Sequence, residues 1–221
     1  MIAEALQKLH SELPDGVKLV AISKYHPKEA IEEAYSAGQR VFGENHVQEL
    51  VDKVSVLPQD IEWHFTGHLQ TNKVKYIAPF VSLIHSVDTE HLLREIDKQG
   101  KKHGRRIPCL LQLHIAQEQT KFGFTPEELD VFLSSGVCKG LQNIKICGLM
   151  AMATFTDDEQ QISDEFALVH QLFRTVKEKY FADDSEFREL SMGMSDDYPI
   201  ALRHGTTMVR IGTKIFGERN Y

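Results

Sequence analysis

Residues 17–24 read V-K-L-V-A-I-S-K, a short run rich in β-branched side chains that ends in a lysine and is followed by Tyr25-His26-Pro27 and a helix-forming stretch. An apolar run bounded in this way has the pattern of a parallel strand buried on both faces and feeding a helix. Period two puts Lys18, Val20, Ile22 and Lys24 on one face, with Lys18 at the solvent mouth and Lys24 at the far end, where the strand meets its loop. A lysine in that place is either a snorkelling surface amine or a nucleophile. The rest of the chain has to decide between them.

The strand–helix pattern recurs along the chain. Ile2 to Leu13 carries apolar residues at helical spacing and is stopped by Pro14-Asp15-Gly16, an extra helix before the first strand. Further strands are expected at Val41–Glu44, Trp63–Gly67, Leu83–Val87, Ile107–Ile115, Ile144–Met152, Glu189–Met192 and Thr207–Ile211. Between them the spacing predicts helices from Pro27 to Ala37, closed by Gly38, and from His46 to Val54 with Asn45 as N-cap. Others follow at Thr71–Tyr76, from Thr89 toward Gly104 with Asp88 as cap, from the capping box Thr125-Pro126-Glu127-Glu128 to Gly136, at Asp157–Tyr180, and from Ser195 to Gly205. Such alternation implies a parallel sheet, and about eight units in 221 residues suggest a single α/β domain closed as a (β/α)8 TIM barrel. The alternative is an open doubly wound sheet. Its dinucleotide-binding version is weakened because no GxGxxG follows the first strand.

A formal net charge of -7 argues against a general nucleic-acid or anionic-membrane binder, and no apolar stretch is long enough to span a bilayer. Cys109, Cys138 and Cys147 form no CxxC pair, so neither a disulfide framework nor a zinc knuckle is expected, and a reducing cytoplasm fits best. His64 and His68 have metal-binding spacing only if helical, and they fall in a strand and its turn. Lys101-Lys102 and Arg105-Arg106 read as solvated surface, and the acid-rich stretch 157–164 as an exposed helix start.

In a barrel of this type the C-terminal strand ends make the site, and a phosphate commonly sits in the loops after the seventh and eighth strands. The strand ends that lead into those loops are Ser191-Met192-Gly193-Met194-Ser195 and Arg210-Ile211-Gly212-Thr213, which offer glycines for close backbone approach and hydroxyls to donate. Asp196 and Asp197 would repel a dianion at the helix start beside Ser195, so Gly212 and Thr213 are expected to carry more of it. Arg210 shares a face with Met208 and Gly212. It is either paired with an acidic residue across the barrel or placed beside a heterocyclic nitrogen, to which it donates while leaving that nitrogen unprotonated. A lysine confined among apolar walls near that guanidinium has a lowered pKa, which favours the reactive amine. Lysine and phosphate cradle at one mouth narrow the chemistry to Schiff bases. Pyridoxal phosphate fits aldehyde, phosphate and ring nitrogen, whereas a sugar-phosphate aldolase fits only the first two.

A-I-S-K at 21–24, F-G-E-N at 42–45 with V-Q-E at 47–49, W-H-F-T-G-H-L-Q-T-N-K at 63–73, H-S-V-D at 85–88, G-L-M-A-M at 148–152, L-S-M-G-M-S-D-D at 190–197 and M-V-R-I-G-T-K-I-F-G at 208–217 together resemble the pyridoxal-phosphate homeostasis proteins. That family is similar in fold to the alanine racemase N-terminal barrel. The resemblance implies an internal aldimine on Lys24, phosphate held by Ser191 and the Gly212-Thr213 loop, Arg210 facing the pyridine nitrogen, and Asn45 lining the ring side. It also implies pyridoxal 5'-phosphate homeostasis without established catalytic turnover. A cytoplasmic monomer is expected, with apo-enzymes that need the cofactor as candidate partners, although the sequence does not decide which of them receives it. The other reading is a pyridoxal-dependent racemase or decarboxylase. A racemase of this type needs a second domain with an opposite-face tyrosine, and the chain ends shortly after the eighth strand, so custody is expected rather than catalysis. The sequence departs from the family pattern at His46 and in the loop from Glu118 to Phe124, where Lys121 is either a secondary cofactor-handling amine or a surface lysine.

Overall fold

The computed structural model describes residues 1–116 and 122–218. Its strands are β1 (Lys18–Ile22), β2 (Val41–Glu44), β3 (Glu62–Phe65), β4 (Leu83–Val87), β5 (Ile107–Gln112), β6 (Ile144–Met150), β7 (Glu189–Met194) and β8 (Met208–Ile211). They pair in sequence order into a closed barrel, every pairing parallel, and β8 returns to β1 with Lys18 opposite Met208 and Ala21 opposite Ile211. The expected (β/α)8 closure is the observed one, and the open doubly wound alternative is excluded by the β1–β8 ladder.

The α-helices are α1 (Ile2–Glu12), α2 (Lys28–Ser36), α3 (Val47–Val54), α4 (Val74–Ile77), α5 (Glu90–Lys102), α6 (Pro126–Ser134), α7 (Glu159–Tyr180), α8 (Tyr198–Arg203) and α9 (Thr213–Phe216). Helix α6 starts on the expected capping box: Thr125 Oγ1 accepts from the Glu128 N–H and Glu128 Oε2 accepts from the Thr125 N–H. Three expected caps move. Thr89, not Asp88, caps α5, with Oγ1 accepting from the Leu92 N–H. His46 stands at the start of α3, because the Asn45 side chain turns to accept from Thr66 Oγ1 at 2.8 Å. Asp197 rather than Ser195 precedes α8. Each displaced cap lies one or two residues from the expected one. No described helix is long and apolar enough to cross a membrane.

Two apolar layers result from strand alternation. Outward-facing Leu19, Phe42, Trp63, Phe65 and Val209 join the inner faces of the helices in one large cluster. Inward-facing Leu83, Leu110, Cys147, Met150 and Met208 form a small separate cluster inside the barrel. The interior also holds a polar layer: His64, His85, Ser191 and Arg210 are all buried. Buried polar groups persist only when they are hydrogen-bonded, so this layer has to be internally paired.

Strand β7 runs two residues past its expected end at Met192, through a register shift between Ser191 and Met194. Gly193 makes that shift possible. Its φ is +94°, and a Cβ there would lie 2.7 Å from the Ala201 Cβ of α8. Gly193→Ala is expected to cost about 2 kcal/mol through backbone strain and overpacking, read as a lower urea midpoint with an unchanged slope.

Candidate functional site

Lys24 lies half-buried in the turn that follows β1, at the C-terminal mouth of the barrel. The His26 N–H donates to the Ser23 carbonyl at 3.1 Å, and Tyr25 has φ +66°, the only positive φ of a non-glycine residue among those described. A side chain resists that conformation, so neighbouring contacts must hold it. The Tyr25 N–H donates to Glu49 Oε1 at 2.6 Å, and Ser23 Oγ donates to Glu44 Oε1 at 2.5 Å. Lys53 completes the arrangement from α3, donating to the Ser23 carbonyl at 2.8 Å, to Glu44 Oε1 at 2.7 Å and to Glu49 Oε1 at 2.6 Å. The sequence reading put Glu44 at a strand end without giving it a role, and it did not name Lys53. The F-G-E-N motif and the i, i+4 spacing of Glu49 and Lys53 were the available signals.

The turn after β8 comes close to β1. A Cβ on Gly212 would lie 3.0 Å from the Ile22 carbonyl oxygen, so glycine lets the Gly212-Thr213 backbone sit against the strand that leads to Lys24. Lys24, Gly212 and Thr213 are thus brought to one side of the mouth by the β1–β8 ladder. Asn45 follows β2 at the same end of the barrel, next to Gly67, where a Cβ would run into the Asn45 backbone.

Arg210 points into the barrel, as its period-two placement on β8 requires. It makes no carboxylate ion pair among the described residues. Instead Nη1 donates to the Ser191 carbonyl at 2.9 Å and to Ser191 Oγ at 2.6 Å, and Nη2 donates to the Ala151 carbonyl at 2.9 Å. Burial pulls Arg210 down to about 10, and Asp197 acts in the opposite direction, so the guanidinium stays charged at neutral pH.

Ser191 is the sequence-predicted site residue whose expected role the structure does not support. It is fully buried in mid-strand, opposite Met208, one pleat below the level where Met194 pairs with Arg210. Its hydroxyl contacts the guanidinium and lies 2.9 Å from His85 Nδ1, and His85 Nε2 lies 2.9 Å from His64 Nδ1. Arginine can only donate, so the Ser191 hydroxyl proton has His85 Nδ1 as its acceptor among the described residues, and His85 in turn donates to His64. Burial keeps both rings neutral, lowering His64 to about 3 and His85 well below its usual range, the latter helped by the nearby charges of Arg210 and Lys18. Ser191 therefore orients Arg210, and the histidines orient Ser191. Neither histidine was read as part of the site, because strand pairing, not spacing, brings residues 64, 85 and 191 together.

Ser195 is half-buried in the turn just beyond Met194 and stands where Ser191 was expected. Asp197 Oδ1 accepts from the Met194 N–H at 2.5 Å, and burial raises the Asp197 pKa, so this acid braces the turn. At the opposite rim His68 stacks on Phe122 at 3.7 Å and meets Asp88 Oδ2 at 3.1 Å. His64 and His68 point to different partners, and no group of three or more His, Cys, Asp or Glu residues able to hold a metal occurs among the described residues. Lys121, in the loop whose role was left open, lies outside the described residues.

A closed parallel barrel with a lysine at the end of β1 and a glycine turn after β8 is the architecture of one known class. Residues 1–220 match the family model described as alanine racemase, N-terminal domain. The chain belongs to the pyridoxal phosphate homeostasis protein family. It is 38% identical over 224 residues to the pyridoxal phosphate homeostasis protein of Aquifex aeolicus, covering 100% of this chain and 96% of the relative. Among solved structures it is similar to PipY of Synechococcus elongatus with pyridoxal phosphate bound, at TM-score 0.88 and 38% identity, covering 98% of this chain and 100% of the other. An alanine racemase from Clostridium difficile shares the fold at TM-score 0.79 with 13% identity, and this chain spans 57% of it.

Two measurements check the site. Ser191→Ala leaves Arg210 and His85 with unpaired buried donors and acceptors, at an expected cost of about 1–3 kcal/mol in urea unfolding. Glu44 is raised from 4.5 to about 7, mainly by burial, with Lys53 opposing. A buried acid with a raised pKa binds more protons folded than unfolded, so its contribution to stability declines as pH rises from about 4.5 to about 7. Glu44→Gln should remove that component, so that the stability difference between variant and wild type grows in the variant's favour across this window.

Proposed function

We propose that the chain binds pyridoxal 5'-phosphate through the Lys24 amine and holds it in custody for supply to apo-enzymes, as a single-domain, cytoplasmic monomer. The observation that carries this reading is the convergence of Lys24, the Gly212-Thr213 turn and Arg210 at one barrel mouth. Similarity to PipY, whose structure was solved with pyridoxal phosphate bound, supports the choice of ligand.

The residues present fit that ligand. The close packing of Gly212 against the Ile22 carbonyl makes a cradle that a Cβ would fill, and Thr213 adds a hydroxyl, as phosphate binding requires. Ser195, at the level of the β8 turn, takes the phosphate role first expected of Ser191. Asn45 lines the ring side.

Pyridoxal phosphate supplies an aldehyde that condenses reversibly with amines, and a ring nitrogen whose protonation decides how well it withdraws electrons. Lys24, when deprotonated, is the nucleophile toward that aldehyde, and one water leaves as the bond forms. Arg210 commits three of its five N–H donors to Ser191 and Ala151, which leaves two, and is anchored through the neutral His85–His64 chain. A charged guanidinium can donate to a ring nitrogen but cannot give up a proton to it, so the nitrogen stays unprotonated. Carbanion chemistry on the amino-acid side is correspondingly weak, which supports custody over racemisation or decarboxylation.

The test is optical. Wild type titrated with pyridoxal phosphate should develop a visible band that Lys24→Ala does not, and a band surviving in Lys24→Ala overturns the assignment. Arg210→Gln should shift the band. Incubation of the loaded protein with a panel of amino acids, followed by chiral chromatography, should show sub-stoichiometric conversion at most. Sustained turnover would show an enzyme instead.

A further inference from the structure

Lys24 is flanked by two residues whose backbone is held by side chains from another element. The carbonyl of Ser23, before it, accepts from Lys53 Nζ, and the N–H of Tyr25, after it, donates to Glu49 Oε1. Lys53 has three N–H donors, and all three are engaged: one on the Ser23 carbonyl, one on Glu44 Oε1 and one on Glu49 Oε1. Glu44 is fully buried, and its Oε2 has no hydrogen-bond partner among the described residues.

A merely structural account of this cluster is weak. Helix α3 already docks through Leu50, which is fully buried, and apolar side chains would secure a helix against a barrel wall as well as a buried ion triad does. What apolar side chains could not do is bond the peptide groups on either side of Lys24 and hold Tyr25 at φ +66°. A turn in that conformation is over-determined by its surroundings: Lys53 and Glu49 bond its backbone, and the Tyr25 hydroxyl lies 2.7 Å from His46 Nε2. The direction in which Lys24 leaves the backbone is set by that turn.

We propose that Lys53, Glu49 and Glu44 are positioning residues for the Lys24 amine: a charged clamp on α3 and β2 that fixes the 23–25 backbone so that Nζ meets the cofactor aldehyde. The proposal rests on the cofactor reading above and assigns the clamp no contact with the ligand. The groups facing it are Glu49 and Lys53 from α3, Glu44 from β2, the Ser23 hydroxyl from the β1 turn and, at the start of α3, His46, whose Nε2 lies 2.7 Å from the Tyr25 hydroxyl.

The clamp makes specific demands. Lys53→Met removes all three donors. Glu49→Ala removes the acceptor for the Tyr25 N–H, whereas Glu49→Gln keeps an oxygen there while losing the charge. Pyridoxal phosphate affinity would be measured by titrating the visible band, its pH profile recorded, and folding followed by urea unfolding of the ligand-free proteins. Lys53→Met and Glu49→Ala are expected to bind about tenfold more weakly, equivalent to about 1.4 kcal/mol, and to shift the midpoint of the band's pH titration. Glu49→Gln should recover most of the affinity lost in Glu49→Ala at similar stability. If Lys53→Met fails to fold, the Glu49 pair decides alone, since Glu49 is partly exposed. Equal affinity and an unchanged pH profile in Glu49→Ala and Glu49→Gln overturn the clamp while leaving the cofactor reading intact. A wild-type protein that develops no band overturns both.

Discussion

The ladder between β8 and β1 is the constraint on which the rest of the molecule depends. Parallel strands cannot share a hairpin, so closing the barrel requires the last strand to reach the first across the whole chain. That closure sets the Gly212-Thr213 turn beside the strand leading to Lys24, although nearly two hundred residues separate them in sequence. An open sheet built from the same units would leave β1 and β8 apart and the lysine without its neighbours.

Closure also encloses an interior that cannot be all apolar if a permanent charge is to stand in it. Arg210 is solvated by fixed dipoles, the Ser191 and Ala151 carbonyls and the Ser191 hydroxyl, in place of water. The cost of burying the guanidinium is offset by neutral partners rather than by a carboxylate, so its charge remains available toward the mouth. His85 and His64 extend the chain downward, and burial keeps them neutral so that no second charge competes. Polar groups in such a chain hold one another in register, and loss of one leaves its neighbours unpaired.

Outside the barrel wall a second charged cluster serves the opposite purpose. Lys53 with Glu44 and Glu49 lies between β2, α3 and the β1 turn, and it spends its bonds on backbone rather than on ligand. Inside, a charge is held facing the site; outside, charges hold the peptide groups from which the site lysine departs. Both arrangements use hydrogen bonds of fixed direction where apolar packing would give none.

Much of this was legible in the chain itself. Eight apolar runs alternating with amphipathic stretches announce the barrel because burial on both faces is a local property of each strand. The capping box at Thr125 is local in the same way, and so is the placement of Lys24, Arg210, Gly212 and Thr213 at strand ends. What local pattern could not decide is which side chains meet across strands. Ser191 reads as a strand-end hydroxyl at the mouth until the shift at Gly193 shows β7 running on to Met194, which leaves Ser191 inside the barrel beneath Arg210. The His64–His85 contact and the grip of α3 on the Lys24 turn depend on inter-strand register and helix docking. The sequence by itself determined the fold and the site's end of the barrel, because strand and helix periodicity are short-range. Only the tertiary structure decided which polar residues face the ligand and which hold others in place, because that division follows from contacts between residues far apart in the chain.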